Sequence, residues 1–385
     1  MILTRLLHAL VVVTFPFLLF SAGPAPAQEP ADAPEVAIEP GSGSFVVDGG
    51  PAHPEKRIRV HYHRPESLDR SSRVVMVIPG AGRNGDDYRD AWVEASERHG
   101  VLVLSPSYPE RYYPEYWSYN LAGMTSSVTF EVRARIDTDP DEWRLDDAAA
   151  NLDSALRVHP HEVFGHGSFG GLMRQMVLLN AAGQIADVDV GATGLEVNPD
   201  REDWIFADFD RIFEVAREAL ELGAEGYDLF GHSAGGQILH RLALFRPGTK
   251  ARRILAANSG WYTLPETEAD FPYGLGGTPV GKEGLAEALS EEGLAVFLGE
   301  EDDADETRGS LRSTPQADRQ GAGRFSRGKY FYGKAEEEAD RLGVELGWKL
   351  HVVPGVGHDY RRMSAAAAEY LYGAGASPAR GGDGR

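Results

Sequence analysis

The 385-residue chain contains no cysteine. That excludes a disulfide framework, a thiolate metal site, an iron–sulfur cluster and a thiol nucleophile. Lysine is scarce too, with 6 residues among 38 basic side chains, and 59 acidic ones bring the formal charge to −21. A surface of that sign repels phosphate backbones and anionic lipid, so nucleic acid is not an expected partner. No G-K-[S/T] follows the glycines at 80 and 82, which argues against a phosphate loop. His159, His161 and His166 lack the helical H-E-x-x-H spacing of a zinc site and read as loop histidines, so no metal is expected. What remains is ordinary for a globular protein: 42% hydrophobic and 25% charged residues.

The N-terminus reads as an export signal. Met1–Arg5 carries one positive charge, Leu6–Phe20 is an almost unbroken apolar run, and Ala25-Pro26-Ala27 fits a small-x-small cleavage site. Residues 1–27 are therefore expected to be a signal peptide. The apolar run of 15 residues is short of the ~20 that a membrane span needs; a retained anchor is the alternative. The expected location is periplasmic or secreted, without a stable membrane anchor after cleavage. Residues 28–42, rich in Pro, Ala and acid, predict a disordered lead-in, and 373–385 a flexible tail.

Between these ends, strand and helix signals alternate. Ser44–Val47 and Arg57–His63 predict an antiparallel pair. Val74–Ile78, Val101–Leu104, Tyr227–Phe230, Ile254–Ala257, Leu294–Leu298 and Leu350–Val353 are short apolar runs of the kind that a sheet buried on both faces requires. Helical spacing marks Tyr88–His99, 208–222, Gly235–Phe245, Gly328–Leu342 and Met363–Tyr372. The alternation predicts one α/β domain over 43–372 with a mostly parallel, doubly wound sheet. Residues 106–207 break the pattern, and a structureless loop of that length is improbable. The segment is expected to contain a cap-like insertion, with Met173–Asn180 as a helical piece.

One motif carries chemistry. The strand ending Tyr227-Asp-Leu-Phe230 runs into Gly231-His232-Ser233-Ala234-Gly235 and then into a helix. This is G-x-S-x-G between strand and helix, the context of a nucleophile elbow, in which a sharp turn strains Ser233 and exposes its hydroxyl. Gly231 and Gly235 permit the close backbone approach. His166-Gly-Ser168-Phe-Gly170 looks similar but has His where the first glycine should be. A serine nucleophile needs a base, and the base an orienting acid, which follow in that fold in the order acid then His. Strand Leu294–Leu298 leads into Gly299-Glu-Glu-Asp302-Asp303-Ala-Asp305; Asp302 is the chosen acid, with Asp303 and Asp305 as alternatives. Strand Leu350–Val353 leads into Pro354-Gly-Val-Gly-His358, which presents His358 as the base. The backbone N–H of Ala234 and one from Ala81 or Gly82 are the candidate oxyanion donors; Pro79 has none to give.

At this point the chain resembles the α/β-hydrolase superfamily, and is most similar to secreted bacterial esterases related to polyhydroxybutyrate depolymerases. The resemblance rests on PGAGRN (79–84), YRDAW (88–92), YNLAGM (119–124), GHSAGGQ (231–237), NSGWY (258–262), FPYGLGGTP (271–279), FLGEEDD (297–303), RQGAGRFSRG (319–328) and VPGVGHD (353–359). It implies an α/β-hydrolase fold, Ser233 as nucleophile, Asp302 as acid and His358 as base. It also implies hydrolysis of a small-molecule or polymeric carboxylic ester through an acyl-enzyme, with no cofactor. A serine peptidase or amidase would use the same residues, and a non-catalytic binding protein of this fold would usually have lost one of them. The expanded 125–203 region and the lack of cysteine depart from the family pattern. Aromatic residues crowd two places, Tyr108, Tyr112, Tyr113, Tyr116, Trp117 and Tyr119, then Trp261, Tyr262, Phe271 and Tyr273. Tyr119, Trp261 and Tyr262 are the candidate substrate contacts, against the alternative that they pack the insertion onto the sheet.

Overall fold

Val74–Ile78 has no polar residue, and all five positions are buried. Its side chains divide by parity: Val74, Met76 and Ile78 enter one apolar layer and Val75 and Val77 the other. Only a strand at the middle of a sheet covered on both faces buries both parities. In this computed structural model, which describes residues 36–51, 53–113, 118–136, 149–150, 156–158, 186–245, 249–309 and 311–374, that strand is central to an eight-stranded sheet.

The sheet is formed by β1 (Gly41–Asp48), β2 (Arg57–Arg64), β3 (Val74–Ile78), β4 (Leu102–Ser107), β9 (Tyr227–His232), β10 (Ala251–Ala257), β11 (Leu294–Gly299) and β12 (Lys349–Val353). Its spatial order is β1-β2-β4-β3-β9-β10-β11-β12. β1, β2 and β4 pair antiparallel, and every pairing from β4 onward is parallel. This is the expected mostly parallel, doubly wound sheet of an α/β-hydrolase.

Helices cover both faces. On one side lie α3 (Ile205–Ala219), α4 (Ala234–Phe245), α5 (Lys282–Ser290) and α7 (Arg324–Leu342); on the other lie α1 (Gly85–Asp90), α2 (Val93–His99) and α8 (Tyr360–Tyr372). α3 shows why it docks: Ile205, Phe206, Phe209, Ile212, Phe213 and Ala216 recur at helical spacing and are all buried. A short helix α6 (Pro315–Asp318) precedes α7.

Three expectations need correction, and the insertion adds a feature that the sequence reading did not contain. The single helix over Tyr88–His99 is two, α1 and α2, broken where Trp92 turns inward to within 5.6 Å of Phe230, ring centre to ring centre. Helices α5 and α6 fall where none was expected. The lead-in is docked before residue 42: Ile38 is buried, Arg64 donates to its carbonyl, and the Glu39 N–H donates to the Tyr62 hydroxyl. The insertion's described part is β. β5 (Thr125–Ile136) and β8 (Ala186–Val197) pair antiparallel along their lengths, and the short β6 (Ala149–Ala150) and β7 (Leu156–Val158) join β5 in a second, four-stranded sheet. Its base is tied to the domain by the Asn198 N–H to the Met124 carbonyl (2.7 Å) and the Ile205 N–H to the Ala122 carbonyl (2.9 Å). The signal peptide, Tyr116, Trp117, the three loop histidines, Ser168, Met173–Asn180 and the tail beyond 374 lie outside the described residues.

Candidate active site

Ser233 sits at the strand-to-helix turn between β9 and α4 with φ +58°, in the left-handed region that a β-carbon disfavours. The glycines around it are sterically required. A β-carbon on Gly231 would strike the Gly235 backbone, and one on Gly235 would collide with the Ile78 carbonyl of β3. The turn is fastened by the Ser233 N–H, which donates to the Ala257 carbonyl at 2.9 Å. Position 234 begins α4, so the Ala234 N–H is among the free amides at a helix N-terminus.

Two more strands end beside it. Asp302 follows β11 and is fully buried; His358 follows β12, with its side chain 8% exposed. His358 Nδ1 and Asp302 Oδ2 lie 2.7 Å apart. Of the three carboxylates open in the sequence, Asp302 alone reaches the imidazole: Asp303 accepts from the Ser326 hydroxyl (2.8 Å), and Asp305 is exposed. The His358 ring lies 4.5 Å, centre to centre, from that of His232, the residue before Ser233. Parallel strands that share an edge thus bring together positions 69 and 56 residues apart in the chain.

Several residues that hold this arrangement escaped the sequence reading. Asn258, at the end of β10, joins the loops on either side. Its Oδ1 accepts from the Gly299 N–H (2.7 Å) and its Nδ2 donates to the Gly357 carbonyl (3.2 Å). Glu306 accepts from the His358 N–H (2.7 Å), and its hydrogen bonds from Arg308 hold its carboxyl well below the usual carboxylate range. Arg324 donates to Asp302 Oδ1 at 3.1 Å, with side-chain exposures of 3% and 0% for the pair. Arg324 and Arg327 open α7, where the helix dipole disfavours a cation. An arginine in a first turn without an acidic neighbour was therefore the one legible sign of a specific anionic partner. Gln320 and Arg327, in the same motif, bind the backbone of Tyr262 and Gly260 and so anchor the loop after β10.

The oxyanion candidates lie in the turn after β3, where the Arg83 N–H closes on the Gly80 carbonyl at 2.9 Å. A β-carbon on Gly80 would lie 3.4 Å from that of Ser233, so this turn borders the elbow, and Ala81 and Gly82 are exposed on it. The candidate substrate aromatics behave differently. Tyr119, Trp261 and Tyr262 are at most 2% exposed, and each has internal partners: the Tyr119 hydroxyl donates to the Pro79 carbonyl, Trp261 packs on Arg241 and Tyr273, and Tyr262 stacks on Phe331. In this structure they offer no open platform; they brace the loops around the elbow.

His232 and His240 are fully buried, and desolvation lowers the pKa of each well below 6.5, reinforced by His358 and nearby arginines for His232 and by Arg241 for His240. The linkage has a definite sign. The unfolded chain takes up both protons below about pH 6.5 and the folded chain does not, so stability is kept above that pH and lost as pH falls. Together they predict a loss that begins near pH 6.5 and steepens toward about 2.7 kcal/mol per pH unit a unit or so below it, from ~1.4 kcal/mol for each histidine. Denaturant midpoints between pH 7 and 5.5 measure it; a flat profile would contradict it.

The sheet order and the elbow define the fold: the chain has the α/β-hydrolase fold. No family model matches it, and no curated protein matches its sequence. Among solved structures it is similar to poly(aspartic acid) hydrolase-1 of Sphingomonas sp. KT-1, with 29% identity, 87% of this chain and 100% of that one covered, and a TM-score of 0.64. It is also similar to LpqC, the poly(3-hydroxybutyrate) depolymerase of Bordetella parapertussis, with 27% identity, coverage of 88% and 92%, and a TM-score of 0.65.

Proposed function

We propose that this protein is an exported serine hydrolase that cleaves carboxylic esters through an acyl-enzyme on Ser233. The observation that carries the reading is the buried 2.7 Å contact between Asp302 and His358 beside a serine held at φ +58°. Asp302 fixes the imidazole with its proton on Nδ1, leaving Nε2 free to take the Ser233 proton as the hydroxyl oxygen attacks the ester carbonyl. The Ala234 N–H and one from Ala81 or Gly82 stabilise the tetrahedral oxyanion, each worth about 3 kcal/mol. His358 then protonates the leaving alcohol; water, activated by the same nitrogen, releases the acid and restores Ser233. Export rests on the N-terminal signal in the sequence. Among the described residues no helix is long and apolar enough to cross a membrane.

A second reading, amide hydrolysis by the same residues, draws support from the likeness to a hydrolase of poly(aspartic acid), a polyamide. Turnover of p-nitrophenyl butyrate beside the matched p-nitroanilide separates the two. The ester reading expects a kcat/KM for the ester at least 100-fold above that for the anilide. A ratio near one would favour the amidase, and no turnover of either would count against both.

A further inference from the structure

Tyr88, in the YRDAW segment, has no part in the mechanism above, yet it lies where three pieces of the site meet. It is buried at 4% exposure in α1, and its ring stacks at 4.5 Å on Tyr360, two residues beyond His358. Its hydroxyl lies against Gly80, the residue before the first candidate oxyanion donor of that turn. The fit there is close: a β-carbon on Gly80 would come within 2.9 Å of the Tyr88 oxygen. The same oxygen is 3.2 Å from Nδ1 of His232, the residue before Ser233. The other ring nitrogen of His232, Nε2, is buried and has no hydrogen-bond partner among the described residues.

The two halves of an oxyanion hole, one from the β3 turn and one from the elbow, otherwise belong to separate loops. Tyr88 is the side chain that ties both together.

We propose that Tyr88 is a positioning residue that sets the spacing between the two oxyanion donors by joining Gly80 to His232. This rests on the serine-hydrolase reading. Tyr88→Phe removes one oxygen and keeps the stack on Tyr360. It is expected to lower kcat about 30-fold, less than the ~100-fold or more lost with an oxyanion donor itself, while KM changes less than twofold. The inhibition constant of an aryl trifluoromethyl ketone, whose bound oxyanion mimics the transition state, should rise by the same factor as kcat/KM falls. His232→Leu cuts the same link from the other side, so the double variant should lose no more than the worse single one. The cycle also decides the matter if Tyr88→Phe alone folds poorly, because His232→Leu then still has to raise the ketone constant without moving KM.

Unchanged ketone affinity in both variants, or fully additive losses, would overturn the proposal. Labelling by a fluorophosphonate separates this failure from that of the underlying reading. A wild-type protein labelled at Ser233 alongside indifferent variants removes only the role of Tyr88. A wild-type protein that does not react removes the serine-hydrolase reading and this inference with it.

Discussion

Ser233→Ala is expected to lower kcat on p-nitrophenyl butyrate by roughly 10⁶-fold, the scale on which removal of a serine nucleophile acts, with no loss of folding stability. The two halves of that expectation have separate causes. The Ser233 hydroxyl makes no hydrogen bond to another described residue, so its removal leaves no buried group unpaired. The backbone bonds that fasten the turn, from the Ser233 N–H to the Ala257 carbonyl and from the Gln237 N–H to the Ser233 carbonyl, are untouched. Alanine suffers the same strain at φ +58° as serine. Ser233→Gly relieves it and should be more stable than wild type by about 1 kcal/mol while equally inactive. A protein whose inactivating substitution stabilises it has a strained functional residue; denaturant midpoints on the three proteins measure this directly.

Asp302→Asn is the second large effect, and here Arg324 decides the outcome. An asparagine has one oxygen and one NH₂ group to place where the aspartate has two oxygens. The Arg324 guanidinium, a donor only, occupies the Oδ1 side at 3.1 Å. The amide oxygen must therefore face Arg324, and the NH₂ group faces His358. A donor opposite Nδ1 forces the imidazole proton onto Nε2, the nitrogen that has to accept the Ser233 proton. The expected loss in kcat is roughly 10⁴-fold near neutral pH, as for triads locked in the wrong tautomer. The substitution also removes the charge of Asp302 from its buried ion pair with Arg324, and breaking such a pair costs about 3–5 kcal/mol. Stability and activity should therefore both fall, in contrast to Ser233→Ala. Arg324→Met separates the two contributions: it leaves the aspartate facing His358 and should cost a similar amount of stability with a much smaller loss of kcat.

Much of the sheet was legible because its strands are buried on both faces. Val74–Ile78 and Leu294–Leu298 are unbroken apolar runs, and the structure places strands there with at most one residue of difference. The elbow was legible for another reason: its chemistry requires glycine at two fixed offsets from the serine, and steric necessity leaves a mark in sequence. The insertion was harder to read. Val128, Phe130, Val132, Ala134 and Ile136 alternate with polar residues, a period of two that marks a strand with one covered face. Most of the site's support was not legible, because it consists of contacts between loops far apart in the chain. Nothing local to Asn258 foretells that it joins Gly299 to Gly357, and nothing local to Tyr88 foretells Gly80 and His232. The aromatic candidates meet a related limit: residue type announces contact area but not which side of a loop receives it, and Trp261 and Tyr262 turn inward.

The likeness to both a polyester depolymerase and a polyaspartate hydrolase leaves the bond type to assay, whereas the nucleophile can be tested without knowing the substrate. The direct measurement is mass spectrometry of the full-length protein after exposure to a fluorophosphonate, followed by peptide mapping. One adduct per chain on the peptide that carries Ser233, absent in Ser233→Ala and strongly slowed in His358→Ala, is the expected result. No adduct on the wild-type protein, or one mapped to another serine such as Ser168, would contradict Ser233 as the nucleophile.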